Sequence, residues 1–85
     1  MTLLLREPER LETWGAEDMP EGFFWWGVAH NILQVCNSWR VHTRWWEPRE
    51  MVWRDYVKVV TDRKLLCVIY HDLQDGGWFM YRIYD

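Results

Sequence analysis

The densest run of chemistry-bearing side chains lies between Ser38 and Tyr56. There Trp39-Arg40, Arg44-Trp45-Trp46, Arg49 and Trp53-Arg54 interleave indole and guanidinium groups. Two functions suit that alternation. Unpaired bases stack on indole rings, each worth about 1–3 kcal/mol, while arginine holds the phosphates. Protein interfaces draw their anchors from the same residue types, since Trp, Tyr and Arg dominate binding hot spots. The competing explanation is packing. A small core recruits large rings, and arginine lies over them by cation–π contact worth about 0.5–2 kcal/mol. Every buried indole also needs a partner for its N–H, and a chain of 85 residues with eight Trp has few to spare. The adjacent pair Trp45-Trp46 is therefore expected at the surface.

Other chemistries find less support. His30, Cys36, His42, Cys67 and His71 are scattered, without the close Cys or His pairs that set tetrahedral zinc geometry. Cys67 lies in an apolar run and reads as a small core residue, and Cys36 reads the same way. A Cys36–Cys67 disulfide fits neighbouring strands but not a reducing compartment. Asp72, Asp75 and Asp85 fall near one end of the C-terminal strands, yet turn carboxylates ordinarily face water and no activated partner accompanies them. His71-Asp72 at a strand end reads likewise. With no nucleophile elbow, phosphate loop or dinucleotide fingerprint, the expectation is a protein that is no enzyme and takes no metal or cofactor.

Charge is informative by segment. Residues 1–21 sum to −4, residues 38–64 to +3 and residues 65–85 to −2, within a net charge of −3. A net acidic chain is a poor general polyanion binder, because nucleic-acid affinity is dominated by phosphate neutralisation. A nucleic-acid site in the middle segment needs Arg40, Arg44, Arg49 and Arg54 on one face, with Glu47 and Glu50 turned elsewhere.

These side chains must be positioned by β-strands. Hydrophobic residues make up 49% of the chain and aromatics 18%, which excludes intrinsic disorder. No apolar run reaches the roughly 18 residues that span a bilayer, Met1–Leu5 is too short for a signal peptide, and two cysteines make no disulfide framework. A cytoplasmic, globular module is the expectation. Trp53–Val60 alternates, Leu65–His71 is a continuous apolar run, and Trp78–Tyr84 alternates after the turn residues Asp75-Gly76-Gly77. These predict an antiparallel meander, with Phe79, Tyr81 and Ile83 on one face of the last strand and Trp78, Met80, Arg82 and Tyr84 on the other. As the terminal strand, it would be an open edge inviting strand addition or homodimerisation unless a barrel closes.

Towards the N-terminus, residues 1–9 read as a flexible arm, Arg10–Trp14 as a short strand and Phe23–Trp26 as a strand ending at Gly27. Residues 28–37 fit either a strand or a helix, since Val28, Ile32, Val35 and Trp39 share one helical face. Residues 40–52, with Pro48, read as a long connection.

Phe24-x-Trp26-Gly27, Trp39-Arg40, Arg44-Trp45-Trp46-Glu47, Arg54-Asp55-Tyr56 and Tyr81-x-x-Tyr84-Asp85 follow one another in an order that resembles a small Trp-rich bacterial domain family of unknown function. The likeness spans roughly residues 7–85. Gly27 directly after Trp26, His30 where the family often has Tyr, and the acidic N-terminal segment depart from it. Family members stand alone or form the C-terminus of Y-family-polymerase-like mutagenesis proteins. The resemblance implies an all-β fold, which favours strand for residues 28–37, and a link to DNA repair or translesion synthesis.

The expectation is thus one all-β domain, an antiparallel twisted sheet of five or six strands or a small SH3-like barrel. Its expected role is non-catalytic binding, chiefly of a protein partner, through Arg40, Arg44, Trp45, Trp46, Trp53 and Arg54. Single-stranded nucleic acid at the same residues is the alternative, and a structural homo-oligomer the third reading.

Overall fold

Antiparallel pairing runs through the whole chain. The computed structural model describes residues 2–44, 46, 47 and 49–84, which form β1 (Thr2–Gly15), β2 (Pro20–Trp25), β3 (Val28–Thr43), β4 (Val52–Thr61), β5 (Leu66–Asp72) and β6 (Trp78–Tyr84). Each strand pairs with the next, and β6 pairs back onto β1 to close a small barrel. The expected all-β barrel is realised with six strands. Among the described residues there is no helix, hence none long and apolar enough to cross a membrane.

Turn chemistry sets the hairpins. Trp26 (φ 49°) and Gly27 (φ 76°) link β2 to β3, with Trp25 opposite Val28. Positive φ at both central residues is the two-residue turn whose twist matches the flanking strands. Asp72 Oδ1 accepts the amides of Gln74 and Asp75 at 3.0 and 3.1 Å, which nucleates the β5–β6 turn. Asp75 in turn pairs with Arg10 at 2.7 Å. Both carboxylates are thereby committed to the turn, and Asp85 lies outside the described residues.

Residues facing each other across a ladder share a side of the sheet. Phe23, Val57, Val59, Cys67, Ile69, Trp78 and Met80 point inward and form the barrel core with Leu11 and Trp25. Fully burying a side chain such as Ile69 or Met80 contributes roughly 1.5–3 kcal/mol. Tyr56, Val68 and Tyr70 form a second cluster, on the outer face of β4 and β5.

Four expectations change. The residues read as a free arm are the first half of β1, where Thr2–Leu4 pairs with Arg82–Tyr84. The connection read over 40–52 is shorter, because β3 continues to Thr43 opposite Val52. Ile83 faces the core rather than lying with Phe79. Met80 sits opposite Ile69 and Arg82 opposite Val68, so Tyr81 is an extra residue, a bulge that reverses the alternation behind it. Finally, β6 is paired on both sides and offers no open edge.

An open edge lies elsewhere. β2 covers β3 only from Val28 to Asn31, while β3 from Ile32 to Thr43 pairs with β4 alone. The second half of β3 thus has one side without a strand.

Candidate binding surface

Beside that bare stretch lies a groove. It opens onto the face of β3 and β4, with Val35, Ser38 and Arg40 beside Asp55 and Val57, and its far wall is Trp78 with Asp18 and Met19 from the segment joining β1 to β2. Trp78 Nε1–H donates to the Glu17 carbonyl at 2.9 Å and ties this segment to the barrel. The cavity measures about 440 Å³. A second cavity of about 570 Å³ shares Met19 and Val35 and continues past Ile32 and Leu33 to Trp14. Both volumes suit an organic guest. The strand bordering them exposes apolar side chains, Leu33 at 68% and Val35 at 45%, between the polar Asn31, Gln34 and Ser38. From Val28 to Trp39 it carries no charge other than what His30 can acquire.

Of the six residues singled out by sequence, the five that are described do not form one surface. Arg40 lies opposite Asp55, so it faces inward like Val57 and Trp53, whereas Arg54 lies opposite Val41 on the outer side. Arg40 is held by Asp55 through two hydrogen bonds of 2.6 and 3.0 Å. Arg44 is ion-paired with Glu50. Arg54 sits 4.4 Å above the Tyr70 ring and donates to Tyr56 Oη at 3.3 Å. Trp53 is half-buried and stacks on His42 at 5.1 Å. Trp46 is 67% exposed, and Trp45 lies outside the described residues. The single basic face required for a phosphate clamp over residues 39–54 is absent among the described residues.

Trp26 is the exposed indole that sequence reasoning passed over. It projects from the β2–β3 turn, 74% exposed, stacked on Trp25 at 5.1 Å. The signal was present in the Trp-Gly pair, since a tight turn between two short strands forces its residues outward.

Electrostatics around the groove follow from these contacts. The hydrogen bond from Arg40 holds the Asp55 carboxyl below the usual aspartate range. At the other end of the barrel, Asn31 donates from its amide and side chain to Asp62, lowering that carboxyl too. Burial pushes the Cys67 thiol up to about 12, whereas Cys36, expected in the core, is exposed on β3. Both cysteines are free, so the disulfide is not formed. Among the described residues, no group of three or more His, Cys, Asp or Glu could hold a metal ion. The chain matches no family model, no curated protein and no solved structure.

Proposed function

We propose that this domain is a non-catalytic binding module that captures an extended segment of a protein partner by adding it as a strand to β3. One observation carries the reading: from Ile32 to Thr43, β3 is paired on one side only, and a cavity lined by Ile32–Val35 opens beside the unpaired stretch. Strand addition draws affinity from main-chain hydrogen bonds and specificity from pockets for alternate side chains. Val35 and Met19 supply apolar contact midway. Trp39, 40% exposed and stacked on Tyr56 at 5.4 Å, is a rigid aromatic anchor near the groove. Arg40 and Asp55, already paired with each other, supply polar contact without an unpaired charge. The likeness to a domain attached to mutagenesis proteins extends this reading to a cytoplasmic role in DNA damage tolerance.

A displayed library of random linear peptides, selected on the wild-type protein and on Val35→Lys, tests the reading. The expected result is enrichment of peptides with alternating apolar residues that bind the wild type and not the variant, because a lysine in the groove opposes strand addition. Failure to enrich any such peptide, or equal binding to the variant, contradicts it. Concentration-dependent sedimentation of the wild type alone, abolished in Val35→Lys, would assign the edge to a second copy instead.

A further inference from the structure

The outer face of β4, β5 and β6 has a different character from the groove. Tyr56 lies opposite Tyr70, and Tyr70 opposite Phe79, with ring centroids 5.2 and 5.3 Å apart. Tyr81, on its bulge, meets Tyr56 edge-on at 5.1 Å. Tyr56 and Tyr70 are buried by this paving, while Phe79, Tyr81 and Tyr84 stay partly exposed.

Three cations sit over the rings. Arg54 lies 4.4 Å from the Tyr70 centroid and Lys58 4.7 Å from Tyr84, while Arg82 is 5.7 Å from Tyr81 and 5.9 Å from Tyr84. Elsewhere Arg10 pairs with Asp75, Arg40 with Asp55 and Arg44 with Glu50. The three on this face make no ion pair among the described residues, and the carboxylate near them is Asp72, opposite Arg54 across the ladder. Lys58 and Arg82 share one row, both opposite Val68, two strand spacings or roughly 10 Å apart. A ring neighbour leaves a cation its full charge, so this face is positive on a chain whose net charge is −3.

Cations left unneutralised among partly exposed rings fit a ligand that is anionic along its backbone and planar in its side groups. We infer that this face binds single-stranded nucleic acid: Arg54, the one residue it shares with the Trp- and Arg-rich segment, takes phosphates with Lys58 and Arg82, and Tyr81 and Tyr84 offer ring faces to unpaired bases. A duplex offers its phosphates but keeps its base faces stacked inside, so it engages only half of this chemistry. Binding is sequence-tolerant, because every base presents a π-face.

The test is fluorescence anisotropy of a fluorescein-labelled oligothymidylate of about twelve nucleotides, within the usual range of such sites. It is titrated with the full chain across a series of salt concentrations. Three phosphate contacts predict a slope of log affinity against log salt of about −2, at roughly −0.7 per contact on a single strand. Lys58→Ala with Arg82→Ala should flatten the slope to about −0.7 and weaken binding at low salt at least tenfold. Lys58→Arg with Arg82→Lys, which keeps both charges, should retain binding and so separate lost contacts from lost folding. Arg49→Ala with Lys64→Asn, which removes two charges elsewhere, should leave affinity within twofold. No anisotropy change at the lowest salt overturns the inference, as does a double-alanine variant that stays folded and binds like the wild type. A poly-aspartate peptide competing as well as the oligonucleotide would overturn it in favour of an acidic protein segment.

Discussion

Arg40 and Asp55 face each other directly across β3 and β4, Arg40 donating from Nε to Oδ1 at 2.6 Å and from Nη2 to Oδ2 at 3.0 Å. This pair closes the argument about the Trp- and Arg-rich segment. An arginine already spent on a carboxylate is a poor phosphate clamp, but it is a fixed polar edge for a groove.

The pair makes a pH prediction. The hydrogen bond from Arg40 lowers the Asp55 carboxyl below its ordinary 3.8 in the folded protein. A group whose folded value is depressed contributes stability above its unfolded value and loses it as pH falls through the folded one. The advantage of wild type over Asp55→Asn should therefore be full at neutral pH, shrink below about pH 4 and vanish in stronger acid. Thermal unfolding of both proteins across that window measures it. Because Arg40 is exposed and Asp55 partly so, the difference should be small and reduced by salt.

His30 titrates with the opposite consequence for its own charge. Its ring is buried, stacked on Phe23 at 5.4 Å, with Nδ1 3.1 Å from Thr61 Oγ1. That hydroxyl oxygen already accepts the amides of Arg63 and Leu65 at 3.3 Å, so its hydrogen turns to Nδ1 and the ring carries its proton on Nε2. Burial, then the charge of Arg63, holds His30 below its ordinary 6.5. As pH drops below 6.5, the unfolded chain takes a proton the folded one refuses, and stability falls until the folded value is passed. Proton NMR should place the His30 midpoint below 6.5, and His30→Gln should lose this part of the pH dependence of unfolding.

Gly22 has no room for a side chain. A Cβ there would lie 2.1 Å from Trp14 Cζ2 and 2.5 Å from the His30 carbonyl oxygen. Gly22→Ala should cost about 1–3 kcal/mol or more in urea unfolding, as overpacking does. Removing the Trp14 ring as well should recover only part of the loss, since the His30 carbonyl stays in place.

The two cysteines should separate cleanly by reactivity. Cys36 is exposed on β3, whereas Cys67 is fully buried and its thiol is pushed up to about 12. Native protein should titrate one thiol per chain with a disulfide reagent and unfolded protein two, with mass mapping of the native adduct to Cys36.

The C-terminal strands were legible because their alternation survives, from Trp53–Val60 through Trp78–Met80. What was not legible was every place where one extra residue shifts the count. In β3, Leu33 and Cys36 are bulges, since Ile32, Gln34, Val35 and Asn37 oppose Thr61, Val60, Val59 and Lys58 in turn. The inward positions then become His30, Ile32, Val35, Ser38 and Arg40. Two intervals of three imitate the helical spacing of Ile32, Val35 and Trp39, and this is why a helix fitted residues 28–37. The bulge at Tyr81 hid the inward turn of Ile83 by the same means. The groove was beyond reach because it depends on β2 being shorter than its neighbour, which no local pattern encodes. The open edge expected on the last strand is closed by its pairing with β1, and the bare stretch lies on β3 instead.

The proposed function rests on the open edge of β3, which amide hydrogen exchange followed residue by residue reads at the strand itself. In an antiparallel strand, successive amides point to opposite sides. With β4 on one side only, protection over Asn37–Thr43 should alternate, every second amide exchanging fast, while Val68–His71 of β5, paired on both sides, is protected without a break. Unbroken protection along Asn37–Thr43 in the isolated monomer would contradict the account, because it would mean that this edge is already covered.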